Sequence, residues 1–561
     1  MINVYVQPFD KHCKIEKGTT LYTGLERAGI VIETPCGGKG ICGKCRVRVD
    51  NSEEIPHTPH KQISPEEADQ GVRLACLLVP ETDISVHVGE NFFLGGQGEP
   101  GGSMLQAQKR STGPVDPGVE IYFQDNTWFM AWKTRDQPPV PIAWNQSFEP
   151  LGLAVDIGTT TLAVSLVSLK TGEIIGSDVS LNPQTRLGHD VLTRIQHAAA
   201  PGGLEELTGL VRGEVNRLAQ SICTHVDVSV DAIIDVTIGG NTTMLELAKG
   251  IDPSPLGVVP FTVDIKGGTA YPASDFGLGV NRAAQAYIPP VLHAYVGSDI
   301  SAGLVCCPEF FDDTRSVLYI DLGTNGEICL NAAGERFTTS TATGPAFEGM
   351  SISSGMRAER GAVEHVSVNN GNLVFDTIDN APVRGVCGSG IVDFIAALLE
   401  AGMINPTGKF VTGDNGEPTN TPQPGRVVVM NDKSWFCYGK NVFLSQKDIR
   451  QIQLAKSAIK SGIEQILDRA SLEPDQIDAI YLAGGFGKYL NPENMERIGM
   501  IPQGTANRLL FIGNASIDGS IQLLIDVRQR RFLEEQLQQM EHLELGSSRG
   551  FMERFVANLN F

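Results

Sequence analysis

The chain has 561 residues, 41% of them apolar and 19% charged, with 62 glycines, which suits a globular protein with a large buried core and excludes wholesale disorder. A net charge of −21 argues against nucleic acid or an anionic membrane surface as a main partner. The N-terminal MINVYVQPFDKHCKIEKG alternates apolar and polar residues and reads as a strand, not a secretory signal, and no stretch approaches the roughly 18 apolar residues of a membrane span. Eleven cysteines, an odd number with three falling in one glycine-rich loop, fit a cofactor site in a reduced, cytoplasmic protein better than a disulfide framework.

Residues 1–94 form the first predicted unit and close on the alternating strand ISVHVGENFF. Within it, TPCGGKGICGKCRVRV and RLACLL place Cys36, Cys42, Cys45 and Cys76 as C-x5-C-x2-C-x30-C. Soft thiolates converging on one centre make a metal site, and the glycines let backbone amides turn towards cluster sulfurs. A zinc site and buried structural cysteines are the other readings, although a zinc ribbon more usually presents two C-x2-C pairs. The stretch 38–45 also reads G-x4-G-K-C. Cys45 stands where a phosphate-binding loop needs a Ser or Thr hydroxyl, and no long helix comes after it, so that reading is rejected.

Residues 95–118, GGQGEPGGSMLQAQKRSTGPVDPG, read as a flexible linker with an r.m.s. span of roughly 27 Å. The next piece, 119–150, carries Trp128, Trp132 and Trp144, and its PPVP run breaks any long helix. Too small to bury itself, it is expected to be a connecting segment packed on the α/β region C-terminal to it. Residues 151–535 alternate apolar strands (LGLAVD, AIIDVTI, VLYID, DAIYLA) with helical stretches (DVLTRIQHAA, QLAKSAIKSGIEQIL), an α/β pattern; 536–561 are expected to be a C-terminal tail.

Two segments of the α/β region look alike, LAVDIGTTTLAVSLV and LYIDLGTNGEICL. Each is a strand, then D-x-G-T, a polar turn and a second strand. The glycine lets phosphate approach the backbone, amides and hydroxyls bind its oxygens, and the Asp can hold magnesium or its water. Asp156, Gly158, Thr159 and Thr160, with Asp321, Gly323, Thr324 and Asn325, are therefore candidates for phosphate and Mg2+. In IYLAGGFGKYLN, Gly484, Gly485 and Gly487 come after a strand and can admit an adenosine against bare backbone.

The cysteine spacing resembles that of adrenodoxin-like 2Fe-2S ferredoxins, and the paired hairpins with the glycine turn resemble the superfamily of acetate and sugar kinases, Hsp70 and actin. With SLNPQTRLGHDVLTRI, TIGGNTTMLELAKGIDP, TATGPAFEGMSISSGMRA and GVCGSGIVDFIAALLEAGMI, the chain resembles the reductive activators of corrinoid proteins. The likeness covers 1–90 and about 150–530, departing in the middle, where longer members carry a helical domain. It implies a multidomain protein: an α+β ferredoxin-like 2Fe-2S domain, a linker, and a two-lobed, duplicated α/β ATPase domain.

The activity implied is ATP-hydrolysing transfer of one electron from the cluster to the cobalt(II) of a corrinoid protein in a methyltransferase system, restoring cobalt(I). A low-potential electron donor and a homodimer are further expectations. The loop 344–356, with Glu348, Ser351, Ser353 and Ser354, would face the partner, place a ligand near cobalt, or simply lie beside the nucleotide; Glu348 is the catalytic candidate there. Cys306, Cys307, Cys329 and Cys387 are expected to be packing residues. Two alternatives remain in function: an ATP-coupled donor to another low-potential metalloenzyme, and a ferredoxin fused to a structural nucleotide-binding scaffold. An activator of 2-hydroxyacyl-CoA dehydratases would lack the ferredoxin domain, and a small-molecule kinase would leave the cluster unexplained.

Overall fold

A computed structural model describes residues 1–7, 11–28, 30–32, 40, 45–50, 60, 63, 65–88, 93–94, 115–133, 138–188, 190–323, 325–344, 346–349, 352–356, 358–411, 426–430, 433–439, 442–485, 490–548 and 550–561. Cys36, Cys42, Thr324, Ser351, Gly487 and the linker stretch 95–114 lie outside the described residues.

The N-terminal unit is a five-stranded sheet. Its strands are β1 (Ile2–Gln7), β2 (Lys11–Ile15), β3 (Arg46–Val49), β4 (Val72–Leu74) and β5 (Ile84–Val88), in the order β2-β1-β5-β3-β4. Alternation in β1 and β5 sends Ile2, Val4, Val6, Ile84, Val86 and Val88 to one buried face. Helix α1 (Leu21–Arg27) closes that face, and Gly24 permits it: a Cβ there would sit 2.3 Å from Ile15 Cδ1. This core is self-contained.

Residues 119–142 form a three-stranded antiparallel sheet: β6 (Val119–Gln124), β7 (Thr127–Trp132) and β8 (Val140–Ile142). Its tight turn is Asp125-Asn126, with φ of 48° and 62°, the backbone that a two-residue hairpin demands. Val119, Met130 and Trp132 pack with Ala154, Val167, Ile234 and Leu524 of the α/β region.

The α/β region has two lobes built on one plan. Lobe I contains β9 (Leu151–Ile157), β10 (Thr161–Ser168), β11 (Ile174–Leu181), β12 (Ile233–Gly240), β13 (Thr269–Pro272) and β14 (Gln285–Ile288), ordered β11-β10-β9-β12-β14-β13. Its long helix α2 (Gly203–His225) packs Leu207, Val211, Val215, Leu218 and Ile222 on that sheet, the 3–4 spacing of one apolar helix face. Helices α3 (Thr242–Lys249) and α4 (Ser298–Leu304) come after β12 and β14. Lobe II contains β15 (Ser316–Leu322), β16 (Gly326–Ala332), β17 (Glu335–Thr341), β18 (Ala479–Ala483), β19 (Leu509–Gly513) and β20 (Glu541–His542), ordered β19-β18-β15-β16-β17-β20. In both lobes a central strand pairs antiparallel with the next strand and parallel with a later one: β9 with β10 and β12, β15 with β16 and β18. The duplication anticipated from the two D-x-G-T segments is therefore a duplication of the sheet.

Helices α5 (Gly388–Glu400) and α6 (Gln446–Arg469) build the lobe II core. Ser445 and Asp448 cap α6 reciprocally. Helix α7 (Ala515–Ile525) leaves lobe II but packs on lobe I, where Gly152 makes room for Leu524. It also crosses α4 so closely that a Cβ on Gly519 would lie 1.8 Å from the Ala302 carbonyl oxygen. Helix α8 (Val527–Leu537) is tied to lobe I by the buried Arg530–Asp235 ion pair, 2.7 Å.

Residues 536–561, expected to be a C-terminal tail, contribute a strand and a helix to lobe II. Strand β20 pairs with β17, and helix α9 (Phe551–Ala557) lies on α6, where Ser457 Oγ donates to the Phe555 carbonyl at 2.5 Å and Asn558 Nδ2 donates to Ser461 Oγ at 3.1 Å. The short edge strand lacks the periodicity by which a sequence announces a strand. At the other end of the α/β region, Asp116 is no longer linker: its N–H donates to Ile525 and its carbonyl accepts from Val527, both at 2.8 Å, at the junction of α7 and α8.

Candidate functional site

Two of the four predicted cluster cysteines fall on described residues, and they meet. Cys45 immediately precedes β3 and Cys76 lies just beyond β4, neighbours in the sheet, with the Ala75 amide donating to the Cys45 carbonyl at 2.8 Å. The two Sγ atoms are 3.1 Å apart and both residues are buried. The Cys76 sulfur, with smaller help from nearby backbone amides, outweighs burial and brings Cys45 down to about 7. Two buried thiols at this separation, one readily ionised, are a donor pair able to share one iron.

The second candidate site lies between the lobes, where β9 and β15 end. In the first hairpin the Gly158 amide donates to the Thr161 carbonyl at 2.9 Å, and a Cβ on Gly158 would sit 2.8 Å from that same oxygen. Asn182 brackets the turn: its backbone amide donates to Thr160 O and its Nδ2 to Gly158 O, both at 2.8 Å. Asn241 Nδ2 donates to Thr159 Oγ1 at 2.9 Å, and the fully buried Arg194 guanidinium donates to the Thr159 carbonyl. Burial lowers Arg194 to about 9. In the second hairpin the Gly323 amide donates to the Asn325 carbonyl at 2.9 Å, and Thr343 Oγ1 donates to Gly323 O at 3.3 Å.

Four acids converge here. Asp156 accepts from Asn514 Nδ2 at 3.0 Å and Ser516 Oγ at 2.7 Å, both at the start of α7; burial still raises it. Asp321 accepts from the Tyr319 hydroxyl at 3.1 Å and is raised to about 6, chiefly by burial and further by the Asp156 charge. Asp299, in the first turn of α4, is pushed up to about 8 by burial and then by Asp156 and Asp321; Glu327 is raised well above its ordinary value by burial and then by Asp299 and Asp321. Buried carboxyl groups raised by burial and by one another are a donor set whose ionised form a divalent cation would stabilise.

Glu348 belongs to lobe II but reaches lobe I: Thr160 Oγ1 donates to Glu348 Oε2 at 3.3 Å. The described serines of that loop, Ser353 exposed and Ser354 half-buried, are held by hydrogen bonds. Ser353 donates from N and Oγ to Asp448 Oδ1, at 2.9 and 3.1 Å, and Ser354 Oγ accepts from the Phe443 amide at 3.1 Å, so they anchor the loop to the start of α6. Gly484, at φ +119°, has no room for a side chain, since a Cβ would sit 2.4 Å from Leu322 O at the end of β15. Among the described residues, nothing stands within 4 Å of a Cβ on Gly485. Cys307, Cys329 and Cys387 are buried and Cys306 is half-buried.

The sequence reading did not single out Asp299, Glu327, Asn182, Asn241, Arg194, Asn514 or Ser516. Asn182, Arg194 and Asn241 lie inside segments quoted for the family likeness, and Glu327 six residues after Asp321. Asp299, Asn514 and Ser516 carry no comparable local signal.

Three family models match the chain in succession: a 2Fe-2S iron-sulfur cluster binding domain over residues 4–81, the RACo middle region over 151–308, and the C-terminal domain of RACo, the ASKHA domain, over 315–561. A corrinoid activation enzyme, RamQ of Eubacterium limosum, is 27% identical over 95% of this chain and 94% of its own. A [Co(II) methylated amine-specific corrinoid protein] reductase of Methanosarcina barkeri is 23% identical over 73% of this chain and 77% of its own. The solved structure of a reductive activator for corrinoid, iron-sulfur protein is similar over 100% of this chain and 98% of that one, with 28% identity and a TM-score of 0.70. With a ferredoxin domain ahead of both RACo regions, the chain belongs to the family of reductive activators of corrinoid proteins.

Proposed function

We propose that this chain is an ATP-dependent activase that passes one electron to the cobalt(II) of a corrinoid protein in a methyltransferase system, restoring the cobalt(I) that accepts a methyl group. One observation carries the reading: a single chain holds both the paired Cys45 and Cys76 thiols in a ferredoxin sheet and an interlobe cleft edged by two D-x-G-T hairpins. The printed names of its relatives support it. A bound cluster supplies single electrons at low potential, near −400 mV for plant-type centres. Each 59 mV uphill in a one-electron step costs about 1.4 kcal/mol, so a climb of a few hundred millivolts needs several kcal/mol from elsewhere. ATP contributes that only by favouring one conformation or complex over another.

In this reading Cys36, Cys42, Cys45 and Cys76 hold the cluster, which a low-potential donor recharges. Gly158, Thr159, Thr160, Gly323, Thr324 and Asn325 bind phosphate, Asp156 and Asp321 with Asp299 hold Mg2+, and Gly484, Gly485 and Gly487 admit the adenosine. Glu348 links the lobes through Thr160, so its contact is made or broken as the cleft closes or opens. The units are residues 1–94, a linker from 95 to about 114, and an ATPase body from 115 to 561.

The test is anaerobic reduction of a cobalt(II) corrinoid protein by a low-potential reductant and the cluster-loaded chain, monitored by the visible absorption of cobalt(I). The yield is expected to rise sharply with magnesium and ATP. Equal yields with and without ATP across several corrinoid proteins would overturn the coupling. Cys76→Ser is expected to abolish transfer while leaving ATP binding intact; loss of both would show that the two sites are not independent.

A further inference from the structure

Away from the acids of the interlobe cleft, a second group of ligating side chains spans the two lobes. His293 lies in lobe I between β14 and α4, and His542 and Glu544 lie on and just after β20 of lobe II. The two imidazoles stack face to face, with centroids 3.6 Å apart and planes 9° from parallel. Glu544 Oε1 is 3.0 Å from His293 Nε2 and 3.6 Å from His542 Nε2. Nδ1 of both rings is buried without a hydrogen-bond partner. One carboxylate oxygen thus faces Nε2 of both rings.

We propose that His293, His542 and Glu544 form a transition-metal site, of the kind that takes Zn2+, bridging lobe I and lobe II. Two imidazoles and a carboxylate are a borderline-soft set that suits zinc and leaves a fourth position to solvent. Tetrahedral zinc with bonds of about 2.0–2.1 Å sets its ligand atoms about 3.4 Å apart. The two nitrogen–oxygen separations of 3.0 and 3.6 Å bracket that value. Since an imidazole lone pair lies in the ring plane, two stacked rings cannot both reach one ion as they stand, and binding requires one imidazole to turn about its Cβ–Cγ bond. The Glu544 side chain is 44% exposed and offers the way in from solvent.

Two features set the affinity. Metal-binding imidazoles ordinarily donate their other N–H to a partner, whose loss costs about 10–100-fold in affinity; here both Nδ1 atoms lack one among the described residues, which weakens the site. Because the ligands come from both lobes, bound zinc would hold the lobes at their present spacing.

The test is equilibrium dialysis of the cluster-loaded full chain against micromolar free Zn2+, with bound zinc and iron measured together. The expected result is one zinc per chain in addition to the cluster iron. His542→Ala is expected to bind at least tenfold more weakly. Since that residue is packed, Glu544→Gln provides a surface change that should also weaken binding about tenfold. Zinc-edge X-ray absorption should show nitrogen and oxygen neighbours with imidazole scattering. Sulfur neighbours, which would place the zinc on cysteines, or equal zinc content in wild type and Glu544→Gln, would overturn the proposal.

Discussion

Asp156 and Asp321 end equivalent central strands of the two lobes, yet their surroundings differ. Asp156 accepts two hydrogen bonds from the start of α7, a helix that arrives from the other lobe, whereas Asp321 accepts from Tyr319, two positions back on its own strand. Asp321 also stands beside Asp299 and Glu327, both raised by it. The sheet has been duplicated, but the two acids are held differently. Asp156 is tied into the crossing between lobes while also raising Asp299 and Asp321, whereas Asp321 is held from its own strand and also raises Glu327. The same D-x-G-T letters therefore carry one positional meaning and two electrostatic ones.

The largest effect that would sharpen this contrast is on turnover. Asp321→Asn keeps the shape but removes the charge, and a Lewis-acid site is worth several kcal/mol, so ATP turnover should fall at least about 100-fold in a steady-state phosphate-release assay. A fall of the same size in Ser516→Ala would break the contrast. That second variant should instead act on stability, since removing a hydrogen bond to a buried charged group costs about 1.5–3 kcal/mol, readable as a lower unfolding midpoint.

A third expectation concerns pH. Asp321 and Asp299 titrate near 3.8 when unfolded and at about 6 and about 8 when folded, so across that interval the folded state binds more protons than the unfolded one. Stability of the nucleotide-free chain should therefore be greatest at the acid end and fall as pH rises from about 4 through about 6 and on to about 8. Magnesium with ATP should flatten the slope, and thermal melts at pH 6 and 8 with and without them check both statements. The smallest effect belongs to Tyr319→Phe. Its hydroxyl lowers Asp321, so its loss should move the acid limb of the pH–turnover profile to higher pH, with a stability change of only about 1 kcal/mol.

What the sequence disclosed was local in nature. The cysteine spacing, both hairpins and the glycine turn each sit within a few residues and are recognisable before any fold is known. The partners of Asp156 come from more than 350 positions downstream, at Asn514 and Ser516, and no short pattern announces such a meeting. Residues 541–542 make a strand only because β17 offers an open edge, so in sequence they read as a tail. The Asp125-Asn126 turn does carry a hairpin signal, flanked by alternating apolar residues, but three tryptophans and a proline run dominate that stretch and obscure it.

The place where Asp116 joins the body has a mechanical meaning. It is hydrogen-bonded at the far end of α7, on the lobe I side of the crossing helix, and Lys133 secures it further at 2.6 Å. On the proposed division, a linker over 95–114 would be rooted at Asp116 and would move with lobe I. When the cleft opens or shuts, the distance from the linker's root to any point on lobe I stays constant, while its distance to points on lobe II changes. In the proposed function, a corrinoid protein seated on lobe II would then come into or out of range of the cluster domain as the nucleotide changes, whereas one seated on lobe I would not.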